Sequence, residues 1–126
     1  MDQAVREQKP DRLTAIAVMT LISGIVNLFW SIGIFLLVAA IGAGTLLIGC
    51  VCLPLGIYPL ALGMLEIVYA AKLLRNPIPP GLKPAYHIAV MEIIDMLFGN
   101  AIALIAGVAA LILYNDVAVR RYFGET

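Results

Sequence analysis

An uncharged stretch of 53 residues, Leu13–Leu65, constrains the fold of this chain more than any other feature. A membrane-spanning helix needs ~20 apolar residues, so this stretch has room for two spans and a tight turn. A soluble protein of 126 residues cannot hide an apolar helix of that length. The sequence therefore predicts an integral membrane protein, and its function has to be argued from the residues that interrupt the apolar pattern.

The composition places the chain in one class. It is 63% hydrophobic and 13% charged, whereas an ordinary soluble domain carries ~25% charged residues. Eight Lys and Arg balance eight Asp and Glu, so no basic surface indicates nucleic acid as a partner. The length suits a single transmembrane domain, 1–126. The sequence has no repeated segments in which apolar and polar residues alternate, as a transmembrane β-barrel requires. It therefore predicts an all-α bundle.

The helices are expected at about 12–40, 46–75, 84–98 and 100–118. A polar segment, 1–11, precedes them; it is too acidic for a signal peptide, so the first helix should stay as an anchor. Ile41–Thr45 is the best turn within the uncharged stretch. Pro54 and Pro59, with two nearby glycines, predict a broken or kinked first half of the second helix. An interfacial tail, 115–126, ends the chain.

The number of spans depends on whether Pro84–Tyr114 is one helix or two. One helix of 31 residues would measure about 46 Å, which is too long without strong tilt. With a turn at Gly99-Asn100, all eight Lys and Arg residues fall on one side of the membrane. The positive-inside rule then favours four spans with both termini cytoplasmic, in a bacterial-type inner membrane. Three spans are the alternative.

Ionisable side chains inside a membrane-spanning helix require an explanation, because inserting each one at the helix centre costs ~2.5–3.5 kcal/mol. Glu66 lies about 9 Å and Glu92 about 12 Å from the cytoplasmic boundary by helical rise. Asp95 is one turn deeper and shares a face with Glu92. Asn27 is a neutral companion, and His87 is placed at the mouth of the same acidic stripe.

Two interpretations of these buried polar residues compete. In the first, the carboxyl groups are protonated or paired and hold helices or a partner subunit together. In the second, acidic groups at stepped depths form a proton or cation path through a small homo-oligomer. We favour the structural interpretation for a chain this small.

Small and hydroxyl residues at helical spacing predict close helix packing. The first helix presents such a face, and the fourth helix presents another. Internal packing of the bundle is the favoured explanation, and docking to a partner or a second copy is the alternative. The residues are Thr20, Gly24, Asn27 and Ser31 in the first helix, and Ala103, Ala106, Gly107 and Ala110 in the fourth.

Aromatic and basic residues mark the expected membrane interfaces. Trp30 lies about 27 Å of helix after the first apolar residue, where tryptophan prefers the far interface. The others are Tyr69, at the exit of the second helix, and Arg120, Arg121 and Tyr122 in the tail. The basic tail also suits contact with anionic lipid headgroups.

No set of residues indicates catalysis, a metal or a cofactor. The single histidine cannot build a metal or haem site from this chain alone. No phosphate-binding loop or nucleophile–base pair can be recognised. Cys50 and Cys52 are too close in sequence to favour a mutual disulfide and are read as small apolar residues.

The two ends of the chain resemble a class of small bacterial integral membrane proteins of uncharacterised function. The matching stretches are Arg12-Leu13-Thr14-Ala15-Ile16-Ala17-Val18-Met19 and Leu113-Tyr114 with Val119-Arg120-Arg121-Tyr122-Phe123-Gly124. The resemblance implies four helices but no activity and no site residues.

The sequence thus predicts a non-enzymatic accessory or structural subunit that packs against other transmembrane helices. The alternatives are the proton or ion pathway described above and a lipid-binding, membrane-organising protein. Expected partners are membrane lipids and either foreign transmembrane subunits or further copies of this chain.

Overall fold

The structure is a computed structural model that describes residues 8–42 and 46–125. These residues form α-helices and one short 3-10 helix, and no strand occurs among them. The 3-10 helix, Asp95–Phe98, continues directly from α3. The α-helices are α1 (Asp11–Gly42), α2 (Leu46–Leu74), α3 (Tyr86–Ile94), α4 (Ala101–Tyr114) and α5 (Val117–Tyr122). Two of them, α1 and α2, are long and apolar enough to cross a membrane.

The two long helices pack against each other as an antiparallel pair. α1 begins where the Pro10 carbonyl accepts from the backbone N–H groups of Leu13 and Thr14 at 2.9 and 3.4 Å. α1 ends at Gly42 and α2 starts at Leu46, so most of the expected turn, residues 43–45, lies outside the described residues.

The second helix was expected to be broken or kinked in its first half; it is not broken, because α2 runs without interruption through Pro54 and Pro59. A proline removes one backbone donor, but a hydroxyl from a neighbouring helix can compensate near the gap. Ser31 Oγ donates to the Gly56 carbonyl at 2.7 Å, one residue after the carbonyl that Pro59 leaves free. This contact helps α2 to continue past the proline.

The segment from residue 84 to residue 114 is two helices rather than one. Gly99 adopts φ +88° at the break, a left-handed conformation that suits glycine. Asn100 then caps α4, its side-chain oxygen accepting from the Ala103 N–H at 3.2 Å. The fourth helix ends at Tyr114 and not near residue 118, because Asp116 caps the separate helix α5 by accepting from the Ala118 N–H at 3.0 Å.

One end of the bundle collects the start of α1, the end of α2 and the end of α4. Lys9 Nζ donates to the Leu73 carbonyl, and Arg12 forms an ion pair with Asp116. Partial burial lowers the pKa of Lys9. Much of the hydrophobic core lies at this end, which we call the basic end. Its described Lys and Arg residues are Lys9, Arg12, Lys72, Arg75, Lys83, Arg120 and Arg121.

The α3–α4 hairpin is much shorter than the α1–α2 pair. α1 has 32 residues and measures about 48 Å, whereas the 14 residues of α4 measure about 21 Å. The tip of the hairpin lies at the level of Trp30, whose Nε1 donates to the Phe98 carbonyl at 3.0 Å. On α2 the same level is marked by Tyr58, whose ring stacks on Phe98 at 4.7 Å. Both long helices continue beyond the tip.

Candidate functional site

The most unusual feature of the bundle is a group of polar side chains buried between its helices. Glu66 is fully buried on α2, and both of its carboxyl oxygens accept hydrogen bonds from α1. Ser23 Oγ donates to Oε1 at 2.8 Å and Asn27 Nδ2 donates to Oε2 at 2.8 Å. These two contacts join the long helices through polar groups in an apolar surrounding.

A chain of hydrogen bonds extends from Glu66 through α1 to the start of α4. Asn100 Nδ2 donates to Asn27 Oδ1, and Asn100 Oδ1 accepts from the backbone of α4. Asn100 therefore caps α4 and connects it to α1 with the same amide. The donors along this chain point toward Glu66, which is its final acceptor.

Glu92 and Asp95 complete the cluster from the third helix and the 3-10 helix that follows it. Both are fully buried, and their four carboxyl oxygens lack a hydrogen-bond partner among the described residues. Glu92 neighbours Glu66, and Asp95 lies close enough to interact electrostatically with both. We refer to Glu66, Glu92 and Asp95 as the carboxyl cluster. It contains no described basic residue.

Glycines allow the helices around the cluster to approach closely. A Cβ at Gly63 would lie 2.8 Å from the Gly24 carbonyl oxygen, which places these two residues at the closest contact of α1 with α2. A Cβ at Gly107 would lie 2.5 Å from the Ala89 carbonyl oxygen and 2.8 Å from Glu92 Cβ. Neither site leaves space for a side chain, so both helix pairs are held at backbone contact beside the carboxyl groups.

The residues of the predicted packing faces are buried within the chain. On α1, Gly24 contacts α2, Asn27 bonds to Glu66 and Ser31 bonds to Gly56. On α4, Gly107 packs against α3. The remaining members, Thr20, Ala103, Ala106 and Ala110, are also buried.

The placement of His87 in the acidic stripe is wrong, because its side chain is exposed. It lies five residues before Glu92, which rotates it by about 140° around the helix. His87 therefore points away from the carboxyl cluster.

Tyr69, expected at the exit of the second helix into an interface, is 8% exposed and lies in the core near the basic end. Its hydroxyl donates to the Lys83 carbonyl at 3.0 Å and accepts from the Ala85 N–H at 3.1 Å. Tyr114 donates to the same hydroxyl at 3.3 Å. Tyr69 thus fastens the loop before α3 to the bundle.

The other expected interfacial residues lie at the surface. Trp30 is 43% exposed while holding the hairpin tip. Arg120 and Arg121 are exposed on α5, and Tyr122 is half-buried against Phe123 with their ring centroids 6.5 Å apart.

Sequence reasoning missed two members of the polar group, Ser23 and Asn100. Ser23 could have been found, because it precedes Asn27 by four residues and Ser31 by eight, which places all three on one helical face. Asn100 was assigned only to a turn. Its contact with Asn27 depends on how the α3–α4 hairpin packs, which no local pattern reveals.

The arrangement can bind protons or stabilise helix contacts. Among the described residues, no group of three or more His, Cys, Asp or Glu side chains has the geometry to hold a metal ion. Comparison with known proteins adds no assignment: no protein family, curated protein or solved structure matches this chain.

Proposed function

We propose that this chain is a non-enzymatic accessory subunit of a bacterial-type inner membrane, where it packs against a transmembrane helix of another protein. The membrane assignment is supported by the exposure of its most apolar helices. In the most apolar windows of α1 and α2, 17% and 28% of the residues are buried. The core helix of a soluble protein would be mostly buried, whereas lipid accommodates exposed apolar side chains.

Four membrane-crossing helices with both termini cytoplasmic agree with the charge distribution. The described Lys and Arg residues lie at the basic end, which the positive-inside rule assigns to the cytoplasm. The α3–α4 hairpin would enter from that side. Although α4 itself measures about 21 Å, the tip of the hairpin lies beside Trp30, about 27 Å of helix after Arg12, which approaches the ~30 Å of a hydrocarbon core.

The unequal helix lengths leave surface for a partner. α1 exceeds the hydrocarbon thickness, so the part beyond the hairpin tip needs strong tilt or a protein cover. In this part Leu36 is 66% exposed and Val51 is 72% exposed. A partner helix lying along these residues would cover them.

An apolar groove on α1 is the single observation that carries the proposal. Gly33 forms its floor, and an added Cβ there would meet nothing within 4 Å. The groove has a volume of about 400 Å³ and follows helical spacing, as a surface that receives another helix would. It is lined by Val26, Phe29, Trp30, Gly33, Ile34 and Leu37.

Gly33→Leu tests this proposal, since the new side chain occupies the groove and its Cβ meets no atom within 4 Å. Purification in mild detergent followed by native mass spectrometry should show a foreign transmembrane subunit with the wild-type protein and its loss from the variant. The matched control is Val68→Leu, a change at an exposed apolar position on α2. That variant should retain the partner.

Two outcomes would contradict the accessory role. Recovery of identical copies alone would favour a homo-oligomer. Equal retention of the partner by the Gly33→Leu variant would remove the groove from the interface. An open ion pathway has less support, because the three carboxyl groups are fully buried in this conformation.

A further inference from the structure

Two buried acidic side chains have unused hydrogen-bonding capacity. Glu92 and Asp95 each have 0% exposure, and none of their four carboxyl oxygens has a donor among the described residues. An ionised carboxylate in apolar surroundings is costly unless it is paired or hydrogen-bonded. Something other than the described side chains must therefore compensate these two groups.

Most candidates for this compensation can be eliminated. The buried residues of the described chain include no Lys or Arg, and the basic residues lie at the basic end. A cation from a partner protein cannot reach side chains that are fully covered by their own helices. The described residues also contain no group of three or more His, Cys, Asp or Glu side chains that could hold a metal ion. Protonation removes the charge of a carboxyl group and requires no opening between the helices, so it is the compensation that suits a closed site.

Glu66 differs from its two neighbours in its hydrogen bonds. It receives donors on both oxygens, from Ser23 and Asn27, which is the pattern of a carboxylate acceptor. Glu92 lies beside it without a donor of its own. A protonated Glu92 can turn its O–H toward Glu66, as in other pairs of neighbouring carboxyl groups that share a proton.

We propose that the carboxyl cluster is an occluded proton-binding site, in which Glu92 and Asp95 hold the protons and Glu66 is the carboxylate. Two tyrosines are its other titratable neighbours among the described residues: Tyr58 on α2 lies near Asp95 and Glu66, and Tyr114 on α4 lies near Glu92. The facing residues of α1, Ser23 and Asn27, do not titrate. This site does not depend on the groove or on the accessory role.

Dicyclohexylcarbodiimide provides a direct test, because this lipid-soluble reagent modifies protonated carboxylic acids in apolar surroundings and enters a closed site when the helices separate transiently. The full-length protein in lipid vesicles should acquire adducts on Glu92 and Asp95, located by peptide mass spectrometry. Asp11, which is exposed at the start of α1, should remain unmodified. Glu92→Gln should lose the adduct at residue 92, and Asp95→Asn should lose the adduct at residue 95.

Infrared spectroscopy of the wild-type protein keeps the proposal testable if a variant fails to fold. The carbonyl band of a protonated carboxylic acid should be present and should shift in heavy water. Absence of both this band and the adducts would overturn the proposal. Suppression of labelling by sodium, compared with an equal concentration of choline, would also overturn it and indicate a cation site.

Discussion

At the scale of single residues, the bundle depends on small side chains beside a few buried polar groups. Gly24 and Gly107 could be predicted from their spacing within small-residue faces. Gly63 could not, because its importance arises from its contact with Gly24 across the α1–α2 pair. Helical spacing alone predicts that Glu92 and Asp95 share a face. The hydrogen bonds that Glu66 accepts depend on how α1 packs on α2.

Two glycines on the long helices should respond in opposite ways to an added methyl group. Gly63→Ala brings a Cβ to 2.8 Å from the Gly24 carbonyl oxygen, so overpacking should lower the free energy of unfolding by about 1–3 kcal/mol. Gly33→Ala meets nothing within 4 Å and should be neutral or raise that free energy by up to about 1 kcal/mol. Detergent titration followed by circular dichroism measures both. Equal effects would contradict the close contact at Gly63.

At the scale of helices, the sequence shows where helix-breaking residues lie more readily than whether a helix ends at them. Glycine and asparagine at 99 and 100 correctly indicated a break, since one suits a left-handed conformation and the other a helix cap. Pro54 and Pro59 predicted a broken or kinked segment, whereas α2 continues through both prolines, and Ser31 from α1 bonds near the gap that Pro59 leaves. That hydrogen bond joins two helices, so the sequence around the prolines does not predict it.

The start of α5 offers a test at this scale. Asp116 both caps α5 and pairs with Arg12, whereas Arg12 only pairs and its side chain is 60% exposed. Arg12→Ala should therefore lower the free energy of unfolding by less than about 1 kcal/mol. Asp116→Ala should cost about 1 kcal/mol more through the lost cap. Thermal unfolding in detergent compares them, and a larger loss for Arg12→Ala would contradict this assignment.

For the whole molecule, the sequence predicted an all-helical chain with two long and two short helices, but not how the two pairs pack together. The sequence could place α3 and α4 as short helices, yet where their tip meets α1 is shown by contacts in the folded chain, Trp30 with Phe98 and Asn27 with Asn100. The basic end likewise collects residues that are far apart in sequence, including the Arg12–Asp116 pair. The central proposal is a four-span membrane protein whose described basic residues lie on the cytoplasmic side.

Cysteine accessibility tests that proposal most directly. In a protein with both native cysteines replaced by serine, single cysteines are introduced at Gln8, Asn76, Gly124 and Ile41, all exposed positions. A membrane-impermeant maleimide is then applied to right-side-out and inverted inner-membrane vesicles. Positions 8, 76 and 124 should react only in inverted vesicles, and position 41 only in right-side-out vesicles. Reaction of positions 76 and 124 from opposite sides would contradict four spans and establish three.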